Sequence, residues 1–241
     1  MGWQEIWEHR QSNFKTMNKE DVQAIFMELK RANGFDIVPG KNAPSFLDWV
    51  RAYYEHKKLL GLQNGGSVYE VGCGAGANLF LLMQDGIRIG GADYSAELFA
   101  IVKDVLAAYD VSPLELDVLE AKETPTEIKY DAVFLDSTAQ YFSNEDYAQE
   151  TLQRMYEKSR HAIAWLDVHD KTKEQDFIAA REQIDPDYKK HYAGLPKRFY
   201  PKDFFLQFAE EHALDIRFTP CRIPHYWNAP FTYNVYLYKH G

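Results

Sequence analysis

The chain has 241 residues and a formal charge of −9, from 27 basic and 36 acidic side chains. That length suits one large α/β domain with additions and is enough to bury a substantial core. No stretch is strongly basic, which argues against a nucleic-acid backbone as partner. The acid is concentrated: residues 61–150 hold 16 acidic and 4 basic side chains, against 8 and 9 in residues 1–60 and 12 and 14 in residues 151–241. The two cysteines, Cys73 and Cys221, have no metal-binding spacing, so a reduced, cytoplasmic compartment is expected. No apolar run nears the roughly 18 residues of a membrane span, and the first residues lack the apolar stretch of a secretion signal. A homo-oligomer is compatible with the chain, and nothing in the sequence decides it.

In chain order, Trp3, Ile6 and Trp7 group on a first helical segment running to Arg10. Asp21 caps a helix whose Val22, Ile25, Phe26 and Leu29 share a face, with Gly34 as its stop. Another helix begins near Ser45 and aligns Phe46, Trp49, Val50 and Tyr53. Ser67 to Val71 reads as a short buried strand, followed by Gly72-Cys73-Gly74-Ala75-Gly76 and a helix from Ala77 to Gln84. A second strand runs from Ile87 to Asp93, and Ser95 caps the helix through Leu98, Ile101, Val102, Val105 and Leu106. A short third strand near Leu114 to Leu116 ends at Asp117-Val118, and Lys129 to Asp136 is a clear fourth. Asn144 caps a helix through Met155, and His161 to Asp167 is a fifth strand with His169 just beyond it.

From Lys171 to Tyr200 the chain is polar and expected to be irregular, with Pro186 and Pro196 as breakers. It carries a basic cluster of Lys189, Lys190, His191, Lys197 and Arg198. A helix from Pro201 to His212 follows, then two alternating strands, Ile216 to Cys221 and Phe231 to Lys239. Five strands alternating with helices and a final antiparallel pair indicate the α/β class, a doubly wound, mainly parallel sheet closed by a hairpin. Ligands of such sheets sit beyond the carboxyl ends of the strands, at the switch point. Glu70, Asp93, Asp117, Asp136 and His169 all fall at such ends.

Three alternate glycines let the backbone turn sharply and approach a ligand closely, and the helix beyond them offers free N–H groups. Glu70, two residues earlier, discriminates between ligands: its carboxylate repels a pyrophosphate and attracts an ammonium. The pattern Glu70-x-Gly72-x-Gly74-x-Gly76 resembles the first motif of the class I S-adenosylmethionine-dependent methyltransferases. The resemblance implies a Rossmann-like domain over residues 61–241, an N-terminal helical lid over residues 1–60 and a substrate-covering insertion near 171–200. It implies S-adenosyl-L-methionine as cofactor, its cationic methionine end facing Glu70, with Gly72, Cys73, Gly74, Gly76 and Asn78 around it. Asp93, 23 positions after Glu70, suits the ribose hydroxyls, and Tyr94 the adenine face. Asp117 and Val118 take the adenine amino group and ring. Asp136 and Tyr141 fall where the fourth motif stands between cofactor and acceptor.

Methyl transfer from a sulfonium asks for in-line positioning, exclusion of water and removal of one proton. His169 is the first candidate for the proton acceptor, since its ring titrates near neutral pH; Asp136 is the second and His225 the third. No spacing of histidines or acids requires a metal, so none is expected. Nucleobase amino-group methylases carry a polar-Pro-Pro-aromatic signature where this chain has Asp136-Ser137-Thr138-Ala139. The Tyr200-Pro201-Lys202-Asp203-Phe204-Phe205 block and the Tyr233-Asn234-Val235-Tyr236 end are similar to bacterial methyltransferases of saccharide or secondary-metabolite pathways. The expected acceptor is therefore a small molecule methylated on oxygen or nitrogen. If residues 189–198 fold over the cleft, their charge suits a phosphate or carboxylate on that molecule. The alternative is an NAD(P)-dependent oxidoreductase, with Gly72-x-Gly74-x-x-Ala77 as its loop and Asp93 on the ribose; Glu70 and Gly76 stand against it.

Overall fold

A computed structural model describes residues 3–34, 43–195 and 197–240. Pro196, expected as a breaker, and residues 35–42 of the N-terminal region lie outside the described residues. Seven strands form one sheet in the order β3-β2-β1-β4-β5-β7-β6: β1 (Ser67–Val71), β2 (Arg88–Asp93), β3 (Glu115–Val118), β4 (Tyr130–Asp136), β5 (Ser159–His169), β6 (Asp215–Pro220) and β7 (Thr232–Tyr238). The first five pair in parallel, and β7 lies antiparallel between β5 and β6. This is the doubly wound sheet of the class I methyltransferase fold, closed by an antiparallel pair.

Side-chain alternation along the strands builds a core on each face. Val68, Ala132, Phe134, Ala164 and Tyr236 point to one face, where they meet Ile25, Phe26, Leu29, Trp49, Phe80 and Val102. Tyr69, Val133, Leu135, Ile163, Trp165 and Val235 point to the other, against Leu152, Met155, Tyr200 and Phe205. The helices α2 (Val22–Ala32) and α3 (Phe46–Leu59) thus share the first core with α4 (Ala77–Gln84) and α5 (Ala96–Ala108). The short α1 (Trp3–Trp7) lies beyond the carboxyl ends of the strands, with Trp7 packed on the edge of the same core.

The expected caps form. The Asp21 carboxylate accepts from the Ala24 N–H, the Ser95 hydroxyl from Leu98 N–H and the Asn144 side chain from Tyr147 N–H. At Ser45 and Asp48 the exchange is reciprocal, a capping box. The helix capped by Asn144 is α6 (Glu145–Lys158), one turn longer than expected, and leads straight into β5. Residues 171–200 depart from the sequence expectation. They form α7 (Glu174–Ile184) and the short α8 (Tyr188–His191), with Pro186 in the break between them. Phe177, fully buried against His169, Phe199 and Trp227, anchors α7. Phe177 is the one buried residue of α7, and a single buried position gives no visible periodicity. The helix α9 (Lys202–Glu211) follows and packs on the second core through Phe204 and Phe205.

Candidate functional site

One cleft spans the carboxyl ends of β1, β2 and β4, and α1 closes it from above through Trp3, Ile6 and Trp7. The indole of Trp3 lies edge-on to Tyr141 at 4.8 Å and stacks on Tyr192 at 5.9 Å, and Trp7 meets Tyr141 at 5.4 Å.

One end of the cleft is built on the glycine turn. Gly72, Gly74 and Gly76 have φ of 70°, 55° and 78°, in the left-handed region that L side chains rarely adopt. A Cβ on Gly72 would meet the Thr138 methyl at 2.5 Å, and one on Gly74 would collide with the Asn33 carboxamide. The loop is held from two sides: Gly74 N–H donates to Asp93 Oδ2 at 2.7 Å, and Ala75 N–H to Asn33 Oδ1 at 2.6 Å. Gly72 and Cys73 are pinned by their N–H groups to the Ala92 carbonyl at 2.8 and 2.9 Å.

Three carboxyl groups surround this turn. Asp93 accepts from Gly74 N–H and from Ser95 N–H, yet burial pushes its pKa up to about 6. Glu70 is 2% exposed; Asn78 donates to its Oε1 at 2.7 Å, while Oε2 has no hydrogen-bond partner. Burial first, and then the charge of Asp136, raise the Glu70 pKa well above the usual carboxylate range. Burial also acts on Asp136, but the Lys30 ammonium and the Asn78 amide outweigh it and hold this acid below its ordinary value. Lys30 Nζ stands 3.5 Å from Asp136 Oδ2 and 4.4 Å from the centre of the Trp49 ring, with 4% of its side chain exposed.

The other end of the cleft rests on two residues level with each other across β4 and β5. Ser137, just past the end of β4, and Asp167, at an irregularity within β5, both have positive φ, 56° and 55°. Ser137 Oγ donates to Asp167 Oδ2 at 2.7 Å, the Tyr226 hydroxyl donates to the same oxygen at 2.6 Å, and the Asn228 amide donates to the carboxylate at 3.2 Å. Asn228 also donates to His169 Nε2 at 3.1 Å, which leaves the ring proton on Nδ1. Tyr226, Trp227, Asn228, Gln140, Arg181, Tyr192 and Lys197 line this end.

Of the residues singled out from the sequence, Gly72, Gly74, Asp93, Tyr94, Asp136 and Tyr141 line the cleft. Glu70 and Asn78 lie one layer behind, joined to it through Asp136. Cys73 is buried with its side chain in the first core, and Gly76 serves as the left-handed N-cap of α4. Asp117 and Val118 end β3 outside the cleft lining, and Val118 is 49% exposed.

The two histidines expected near the acceptor do not reach it. His225 is exposed, at a left-handed turn outside the cleft lining, because the turn before the 3-10 helix Ala229–Phe231 swings it outward. His169 is 1% exposed and packed against Phe177 and Phe199, behind Asn228. Burial, with the charges of Lys197 and Arg181, pushes its pKa well below the ordinary histidine value, so the ring is neutral. Residues the sequence reading missed are Lys30, Asn33, Arg181 and Asn228. Lys30 had a signal: it falls four residues after Phe26 on the apolar face of α2, where a charge is out of place.

Residues 69–160 match the family model described as a methyltransferase domain. No curated protein matches this sequence. Among solved structures, the magnesium protoporphyrin IX methyltransferase of Synechocystis PCC 6803, with its S-adenosylmethionine bound, is similar at a TM-score of 0.59 and 13% identity, over 91% of this chain and 98% of that one. An S-adenosylmethionine-dependent methyltransferase from Clostridium acetobutylicum ATCC 824 gives the same TM-score of 0.59 at 12% identity, over 88% and 98%. At such identities these likenesses carry the fold.

Proposed function

We propose that the chain is a class I S-adenosylmethionine-dependent methyltransferase that methylates oxygen or nitrogen on a small molecule of saccharide or secondary-metabolite type, a reading supported by the methyltransferase-domain match and the shared fold. One observation carries the small-molecule reading: the acceptor end of the cleft lies under α1 and is walled by Trp3, Tyr141, Tyr192 and Trp227. A roofed aromatic pocket suits a compact ligand with apolar faces. A long polymer would need an open groove.

The residues at the other end fit the cofactor. The glycine turn packs too closely on Thr138, Asn33 and Val102 to admit a Cβ, Glu70 Oε2 is a buried oxygen without a hydrogen-bond partner, and the groups around the turn are acidic. A bound S-adenosylmethionine supplies an activated methyl group. In this reading Glu70, with Asn78 and Asp136, holds the cationic methionine end, Gly72, Gly74 and Gly76 keep the approach open, and Cys73 sets the turn. Asp93 holds the ribose, Tyr94 flanks the adenine with Asp117 and Val118 at the pocket's rim, and Tyr141 separates cofactor from acceptor. A nicotinamide dinucleotide is disfavoured at the same place, because its pyrophosphate would meet the carboxyl groups of Glu70 and Asp136.

Asp136 is the one expected proton acceptor that meets the cleft. Held ionised by Lys30 and Asn78, it orients more than it abstracts. His169 acts at one remove, by fixing the Asn228 amide, and the residues 1–60 and 171–200 cover the acceptor through α1, Arg181 and Tyr192. Calorimetric titration of the full chain with S-adenosylhomocysteine and, separately, NADH tests the cofactor assignment. Binding of the first alone is expected; binding of NADH alone would overturn it. Screening hydroxyl and amine acceptors by release of S-adenosylhomocysteine then tests the acceptor class, and activity confined to nucleic-acid or protein substrates would refute it.

A further inference from the structure

The acceptor end of the cleft contains two cations that join no ion pair among the described residues, the charges of Asp167 and Asp185 reaching them only at a distance. Arg181, from α7, and Lys197, from the segment leading to Tyr200, both line it. The Arg181 guanidinium carbon lies 4.9 Å from the ring centres of Tyr188 and Trp227 and 5.9 Å from that of Tyr192. The Lys197 ammonium lies 5.3 Å from Tyr141, 5.7 Å from Phe177 and 5.8 Å from Trp3. Both are therefore held by ring faces, an interaction worth about 2 kcal/mol or less, well short of the cost of burying a charge.

The acids nearby are taken. On α7 and α8 the ion pairs are Lys171–Glu174, Lys173–Asp176, Lys189–Glu182 and His191–Asp185, and among the described residues neither Arg181 nor Lys197 joins one. Asp167, whose charge does reach Lys197, already accepts from Ser137, Tyr226 and Asn228. Arg181 Nε is buried and has no hydrogen-bond partner. His169, also near both, is neutral. Burial and the Arg181 charge push the Lys197 pKa down to about 8, against the opposing pull of Asp167. Of the basic residues clustered in the sequence between 189 and 198, only Lys197 lines the cleft; Arg198 is turned away, donating to the Phe142 and Ser143 carbonyls at 2.9 and 2.7 Å.

We propose that the methyl acceptor carries an oxyanion, a carboxylate or a phosphate, that binds between Arg181 and Lys197 with its body against Trp3, Tyr141 and Trp227. The inference rests on the reading of this end of the cleft as the acceptor site, and it narrows the acceptor to an acidic small molecule. An oxyanion satisfies Arg181 Nε, separates two like charges and restores full protonation to Lys197.

The test is calorimetry on the full chain at pH 7 with S-adenosylhomocysteine present, titrating benzoate, inorganic phosphate and, as the uncharged isostere of the first, benzamide. Benzoate or phosphate is expected to bind, and which of them does identifies the anion; benzamide is expected to bind at least about tenfold more weakly. Arg181→Gln and Lys197→Gln should each weaken the anion by about tenfold or more, and Arg181→Lys, which keeps the charge, by only a few-fold. S-adenosylhomocysteine affinity should be unchanged in all three, which also shows that they fold. Equal binding of benzoate and benzamide, anion binding indifferent to both Gln variants, or failure of both anions in a chain that binds S-adenosylhomocysteine would overturn the proposal. Anion binding in a chain that ignores S-adenosylhomocysteine would leave the anion site standing and remove the cofactor reading instead.

Discussion

The two ends of the cleft are opposites in charge and in origin. The glycine-turn end gathers Glu70, Asp93 and Asp136 around one lysine; the far end gathers Arg181 and Lys197 among rings, with the buried carboxylate of Asp167 committed to the wall. The acidic end comes from three consecutive strand ends within the stretch 70–136, whereas the basic end is assembled from residues as far apart as Trp3, Tyr141, Arg181 and Trp227. The contrast is physically useful. A cationic ligand portion and an anionic one are each drawn to the end that suits them, so two molecules meeting in one cleft are sorted by sign before any fine contact forms.

Substitutions at each end should break this contrast unequally. The largest effect is expected from Gly74→Val, which puts a β-branched side chain at a φ of 55° against Asn33. S-adenosylhomocysteine binding should fall by about 100-fold or more, with a loss of thermal stability. An affinity near that of the parent would show that the turn does not approach a ligand. Next, Glu70→Ala should weaken S-adenosylhomocysteine by about 1–3 kcal/mol, the range for a hydrogen bond to a charged group. An unchanged dissociation constant would take Glu70 out of the site.

A third effect is set by pH. Asp93 titrates near 6 in the free protein and must be ionised to accept from two sugar hydroxyls. Affinity should therefore drop by about tenfold between pH 7 and pH 5, and Asp93→Asn should flatten that step, which calorimetry at the two pH values will read. The stability sign is the reverse. A folded pKa above the unfolded one, about 3.9, means that protonating Asp93 favours the fold as pH falls from 7 toward 4. The smallest effect is expected from His169→Ala: slower turnover by a few-fold, because Asn228 loses one of its supports, and cofactor affinity unchanged. A change in cofactor affinity would show that His169 supports the other end.

The same contrast explains what could be read from the chain alone. Strand positions, caps and glycine turn were legible because each depends on neighbours within a few residues: Asp21 on Ala24, Ser95 on Leu98, Gly76 on the first turn of α4. Asp93 and Asp136 were legible because a strand end fixes where its last side chain points. His169 was misleading for a local reason: β5 continues two residues past Asp167, and its alternation turns the ring into the protein, behind Asn228. His225 depended on a turn whose direction no periodicity encodes. Arg181 was hidden in a stretch that looked irregular, because a single buried phenylalanine, Phe177, organises the helix that carries it.

Ser137 and Asp167 each sit in a backbone geometry that costs about 1–3 kcal/mol for a residue with a side chain. Glycine at either position would ease that tension, yet would delete the hydroxyl or the carboxylate on which Tyr226 and Asn228 hang. The two bends are thus a place where selection for sturdiness and selection for shape pull in opposite directions. A glycine variant that melts later but lets Tyr226 swing free would be a tougher protein with a blunter pocket.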